Sequence, residues 1–116
     1  MSLPINLRLK KNSDFQKVIK NGKSVNGEFL FIKFVKNELD HSRFGIVVSS
    51  KVSSKATARN KIKRRISESI SPIYKKQKTN LDIVVISIPR ILEKTQKEIK
   101  SKLDEILNKV FSQYKK

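Results

Sequence analysis

The 116-residue chain has no cysteine and no tryptophan, one histidine, three glycines, three prolines and only 10 Asp plus Glu. Without cysteine there is no disulfide scaffold, no thiolate nucleophile and no Cys-ligated zinc. The lone His41 excludes a histidine-rich metal site and a His-pair mechanism. Scarce glycine and proline exclude collagen-like and low-complexity chains. No stretch approaches the roughly 18 uninterrupted apolar residues of a membrane span, and residues 1–11 hold no apolar run of signal-peptide length before the charges begin. The expected location is the cytoplasm, with no membrane partner.

What the chain has in excess is positive charge: 27 Lys plus Arg, for a formal net charge of +17. That excess repels itself in the compact state, and a polyanion relieves it. Nucleic acid is the first partner class. An anionic membrane would call for one amphipathic helix with a basic face, whereas here the bases are spread over several elements. With 37% apolar residues, no internal repeat and no Gly/Ser/Pro-rich linker, residues 1–116 are expected to form one domain with a basic N-terminal arm over 1–12.

Ser13-Asp14-Phe15-Gln16 has the spacing of a capping box, so a first helix is expected from a Ser13 N-cap to Gly22, with Phe15, Val18 and Ile19 on its apolar face. The aromatic and β-branched run from Glu28 to Val35 predicts a strand, as does Phe44 to Ser50, and residues 24–27 can form a third, short one. The short turn at Asn37–Ser42 makes an antiparallel hairpin of the two longer strands the economical pairing. Ser53 or Ser54 can cap a second helix over about Lys55–Ile70, with the stripe Ala58, Ile62, Ile66 and Ile70, and Ser71-Pro72 is expected to end it. Ile83-Val84-Val85-Ile86 does not alternate, which suits a central strand covered on both faces and closed by Pro89. A last helix is expected over about Ile91–Tyr114, with Ile99, Leu103, Ile106, Leu107, Val110 and Tyr114 facing inward. The class is α+β: three helices on a small, mostly antiparallel sheet.

The chemically informative segment is Lys51–Arg65, where seven bases stand among fifteen residues without an acid; Glu68 is the first counter-charge. A solvated helix face normally mixes signs at i,i+4, and bases in the first turn oppose the helix dipole, so the pattern is unfavourable until an anion binds. At 100° per residue, Asn60, Lys61 and Arg64 point away from the apolar stripe, Lys63 lies at its margin, and Arg59 projects near it in the first turn. The bland alternative is a solubilising face. The ten carboxylates are scattered along the chain, and there is neither a nucleophile with a base nor a recognisable metal-ligand cluster.

Ala58-Arg59-Asn60-Lys61-Ile62-Lys63-Arg64 resembles the Arg-Asn-Arg helix motif of the bacterial ribonuclease P protein subunit. Arg8-Leu9-Lys10-Lys11, Asp14-Phe15-Gln16-Lys17-Val18 with Gly22 and Ser24-Val25, Phe44-Gly45-Ile46 leading to Val48-Ser49 and Lys51, and Asp82-Ile83-Val84-Val85-Ile86 follow in the family's order. The resemblance covers nearly the whole chain.

It implies the small subunit of a ribonucleoprotein that cleaves precursor tRNA to make the mature 5′ end, with catalysis in the RNA subunit. Arg59, Asn60, Lys61, Lys63 and Arg64 would face that RNA. Phe15, Ile19, Ser49 and Lys51 would contact the single-stranded 5′ leader in a cleft between the first helix and the sheet. One of Phe29, Phe31 and Phe34 could also line it, depending on strand register. Arg8, Lys10 and Lys11 would be the arm's RNA contacts. Lys61 stands where the motif usually has a second Arg, which keeps the charge but loses the bidentate fork.

The implied fold is ribosomal-protein-like with a left-handed βαβ crossover, a hand that the pattern alone would have set the other way. The implied metal is Mg²⁺ held mainly by RNA phosphates. The implied partners are ribonuclease P RNA and precursor tRNA; self-association follows from none of these features. The alternatives are a ribosomal or general RNA-binding protein of similar fold, and a protein-only nuclease, which would need clustered carboxylates.

Overall fold

The computed structural model describes residues 7–74 and 79–114, the side chains at 71–74 and 114 excepted. The first six arm residues and the inward placement of Tyr114 lie outside that description. The elements are α1 (Asn12–Asn21), β1 (Lys23–Asn26), β2 (Leu30–Lys36), β3 (Arg43–Val47), α2 (Ala56–Tyr74), β4 (Leu81–Ser87), a 3₁₀ turn (Pro89–Glu93) and α3 (Gln96–Tyr114).

The strands form one sheet in the order β1-β2-β4-β3, with β1–β2 and β2–β4 antiparallel and β3–β4 parallel. The expected hairpin of β2 with β3 is therefore absent. β4 lies between them, and α2 carries the chain from β3 to the parallel β4. The physical reason is the run Ile83–Ile86: with no polar side chain to give to solvent, β4 needs cover on both faces and neighbours on both edges. Leu81, Ile83, Val84 and Val85 are each fully buried.

Register sorts the side chains. Leu30, Ile32, Phe34, Phe44, Ile83 and Val85 face α2 and α3, where they share a core with Ile62, Ile66, Ile70, Ile99, Leu103 and Leu107. The opposite face carries Leu9, Val18 and Val84, with Phe15, Val35, Val47 and Ile86 at its margin. The sheet is thus the middle layer, with α2 and α3 on one side and α1 on the other.

Several boundaries move from their expected places. Lys11, not Ser13, precedes the first helical residue, and no side chain caps α1; the Lys11 carbonyl accepts the Asp14 and Phe15 N–H groups instead. Gly22 ends α1 in an extended conformation. Its requirement is closeness: an added Cβ would press on the Val18 carbonyl and stand 3.0 Å from that of Phe34.

β3 stops at Val47, short of the expected Ser50, because the chain turns there, with the Val52 N–H on the Ser49 carbonyl at 3.0 Å. At the start of α2, Ser53 Oγ accepts the N–H of Lys55 rather than one inside the helix, and the Lys55 carbonyl accepts that of Arg59. α2 runs through Pro72 to Tyr74, since the residue before proline is biased away from the α region without being barred from it. Pro89 opens a 3₁₀ turn, so α3 begins at Gln96 rather than Ile91. A reciprocal cap marks its start: Glu98 Oε1 accepts the Thr95 N–H at 3.0 Å, and Thr95 Oγ1 accepts that of Glu98 at 3.2 Å.

Candidate nucleic-acid interface

The entry to α2 fixes the basic face. Arg59 donates through one terminal nitrogen to the Ser53 carbonyl at 2.9 Å and is half-buried, so it holds the 49–55 turn against the helix as well as carrying charge. Asn60, Lys61, Lys63 and Arg64 are exposed, while Ile62 and Ile66 anchor the opposite side of the helix in the core. The first turn of α2 contains no acid.

α3 shows what an ordinary solvated face looks like in this molecule. Lys100 pairs with Asp104 at 3.0 Å and Lys102 with Glu105 at 3.5 Å. Lys61, Lys63 and Arg64 make no ion pair among the described residues. The two helices have the same length but differ in charge pattern: on α2 these three bases are not compensated by an ion pair among the described residues.

Lys63 and Arg64 also reach a cavity of about 390 Å³ whose other walls are Arg8, Leu9, Phe15, the β3 edge and Ser67. The arm reaches it by adding to the sheet: Leu9 donates its N–H to the Phe44 carbonyl at 2.9 Å, and Arg8 pairs in parallel with Phe44. Phe15 and the two α2 bases, far apart in the chain, thus meet around one space. Arg8, Lys10 and Lys11 are exposed, and together with Arg43 and His41 they border a second cavity of about 310 Å³.

The other expected leader contacts are not brought into the first cavity. Ile19 is half-buried on the last turn of α1, and Ser49 and Lys51 are exposed on the turn after β3. The register settles the phenylalanines. Phe29 and Phe34 are buried in the core below α2 and α3, whereas Phe31 is half-exposed on the α1 face. It lies in one cross-strand row with Ile86 and Val47, both partly exposed. α1 covers the next row, Lys33–Val84–Gly45, and leaves this one as an apolar floor beside it.

Sequence reasoning missed two polar groups here. Lys33 donates to the Ile19 carbonyl at 3.0 Å, placing a cation at the negative end of α1. Arg43 donates to Asp82 through Nε at 2.9 Å and a terminal nitrogen at 2.7 Å, and lies 3.5 Å from Asp14 on α1. Asn37 donates to the same Asp82 carboxylate at 2.9 Å. The bond to Asp82 is the main reason that the Arg43 guanidinium is held even more firmly protonated than usual; burial opposes it. This pairing ties the start of α1 to the sheet. The signal for it was Asp82 beside the apolar run Ile83–Ile86 in the buried strand, where a carboxylate needs a partner.

Among the described residues no three His, Cys, Asp or Glu side chains are grouped to hold a metal ion, and no helix is long and apolar enough to cross a membrane. The fold and this surface define an α+β protein with a basic surface suited to a polyanion, its bases converging from a helix and an arm beside a half-exposed apolar floor.

The chain matches the family described as Ribonuclease P over residues 3–110, and it belongs to that family. It is 40% identical over 105 residues to the ribonuclease P protein component of Alkaliphilus metalliredigens, covering 90% of this chain and 94% of the relative. The solved structure of the Staphylococcus aureus RNase P protein superposes with a TM-score of 0.82 at 36% identity, over 90% of this chain and 94% of that one. For the RNase P protein from Thermotoga maritima the TM-score is 0.80 at 36% identity, over 88% and 96% of the two chains. Three helices on a four-stranded mixed sheet are common to these proteins and to this one.

Proposed function

We propose that this chain is the protein cofactor of a ribonuclease P ribozyme: it binds the catalytic RNA and the 5′ leader of precursor tRNA, and so promotes removal of the leader. Membership of the ribonuclease P protein family supports the role in tRNA 5′ processing. The observation that carries this reading is the cavity where Phe15 meets Arg8, Lys63 and Arg64, so that an aromatic ring and converging bases share one space.

Arg59, Asn60, Lys61, Lys63 and Arg64 engage phosphates of the RNA subunit, with Arg8, Lys10 and Lys11 extending the contact along the arm. Phe15, Ile19 and the Phe31–Ile86–Val47 floor receive unpaired leader bases, which offer a stacking face whatever their identity. Ser49 and Lys51 border the leader's path from the turn after β3. The chemistry belongs to the RNA, whose phosphates hold the Mg²⁺ ions; the protein neutralises charge and positions the strand. Such a complex works in the cytoplasm.

The test is the affinity of the reconstituted complex for leader-bearing and leaderless tRNA. Tighter binding of the leader-bearing form, only when the protein is present, is the expected result. Equal affinities would leave a general RNA-binding protein.

A further inference from the structure

β3 carries a glycine, Gly45, in mid-strand, where a side chain would normally pack. The backbone does not demand one, because no glycine in the described residues has a positive φ. The neighbours do. A Cβ added at Gly45 would overlap Cε1 of the Phe15 ring, stand 2.6 Å from its Cζ, and stand 3.2 Å from Cδ1 of Leu9. The tip of the Phe15 ring therefore occupies the space of the missing side chain.

α1 has little freedom to retreat. Val18 is fully buried beneath it, Asp14 is held near Arg43 at one end, and the Ile19 carbonyl accepts from Lys33 at the other. An added methyl group is accommodated by rotating the ring rather than by moving the helix. Rotation about the side-chain torsions lifts the ring from the strand into the cavity that Lys63 and Arg64 also line.

We propose that Gly45 is a positioning residue: the bare strand seats the Phe15 ring at the depth and tilt at which an unpaired base stacks beside the basic rim. This rests on the reading of Phe15 as a leader contact. Gly45 itself touches no RNA in this account and acts through the ring alone.

The test is a double-mutant cycle of Gly45→Ala and Phe15→Leu in the reconstituted complex. Leader-dependent affinity, RNA-subunit affinity and melting temperature are read for each variant. Gly45→Ala is expected to lower leader-dependent affinity by about fivefold or more, and RNA-subunit affinity by less than about twofold. Phe15→Leu is expected to lower leader-dependent affinity as well, and adding Gly45→Ala to it should cost nothing further in affinity and little in melting temperature.

Several results would overturn the proposal. A loss with Phe15→Leu but none with Gly45→Ala refutes the seat and spares Phe15 as a contact. No loss with either refutes the Phe15 reading and the seat with it. Additive losses show that Gly45 acts independently of the ring. If Gly45→Ala alone does not fold, folding of the double variant supports the ring as the obstacle, and failure of both to fold refutes it.

Discussion

Arg64→Ala isolates one proposed phosphate contact from the fold. Arg64 is exposed, points away from the Ile62–Ile66–Ile70 core and makes no ion pair among the described residues, so its loss should change stability by no more than about 0.5 kcal/mol. A charge-assisted contact to phosphate is worth about 1.5 kcal/mol, roughly tenfold in affinity for the RNA subunit at low salt. The advantage should shrink as salt rises, because each neutralised phosphate contributes about 0.7 to 0.9 to the slope of log K against log salt. Over a fourfold rise, from about 50 to 200 mM, the gap between parent and variant should narrow by about threefold. The assay is a binding titration of the RNA subunit across that salt series, with melting curves alongside. Parallel salt lines with unchanged affinity would refute the phosphate contact, and a large fall in melting temperature would show that Arg64 supports the fold instead.

Phe31→Ala should weaken leader binding by about 1 to 3 kcal/mol, whereas Phe34→Ala, on the opposite face of the same strand, should lower stability by about 3 to 5 kcal/mol with no selective effect on the leader; a leader effect from Phe34 alone would invert the register argument. Arg43→Met leaves Asp82 nearly buried with Asn37 as its remaining side-chain donor. A loss of about 2 to 3 kcal/mol is expected, seen as a fall in melting temperature of about 8 to 12 °C for a chain of this length, and an unchanged melt would sink the anchoring role. Thr95→Ala should cost about 1 kcal/mol by uncapping α3, measured by denaturant unfolding. The Glu98 carboxyl is held below its ordinary value, first by accepting the Thr95 backbone N–H. Its stabilising effect is therefore present above the ordinary carboxylate range and is lost as pH falls through that range to the depressed folded value. Glu98→Gln should flatten the pH dependence of the melt in that acidic window, and an unaltered dependence would show that the cap carboxylate is not its source.

The parts of the fold set by local pattern were legible. The apolar stripe Ile62–Ile66–Ile70 faces the core, and the unalternating run at Ile83–Ile86 is the sheet's central strand. Pairing was harder, because it depends on contacts distant in sequence. The short turn at residues 37–42 favoured a β2–β3 hairpin, while burial of both faces of β4 inserted that strand between them. Cap positions failed for a related reason: Ser13 has the right spacing, but the cap falls two residues earlier, at Lys11, whose carbonyl already receives two N–H groups.

At the interface, the α2 bases were legible from the absence of acids beside them. The floor was not, since a one-residue shift of β2 exchanges Phe31 for its buried neighbours. The role of Gly45 needed the distance to a ring thirty residues earlier in the chain, which no local pattern encodes.

In the proposed role this chain helps a catalytic RNA cut rather than cutting by itself. Its most direct test is magnesium-limited cleavage of a 5′-extended precursor tRNA by a bacterial ribonuclease P RNA, with and without the protein and with the protein alone. Faster cleavage at the mature 5′ end is expected when both are present, and none by the protein alone. Cleavage without the RNA, or tight binding without stimulation, would contradict it.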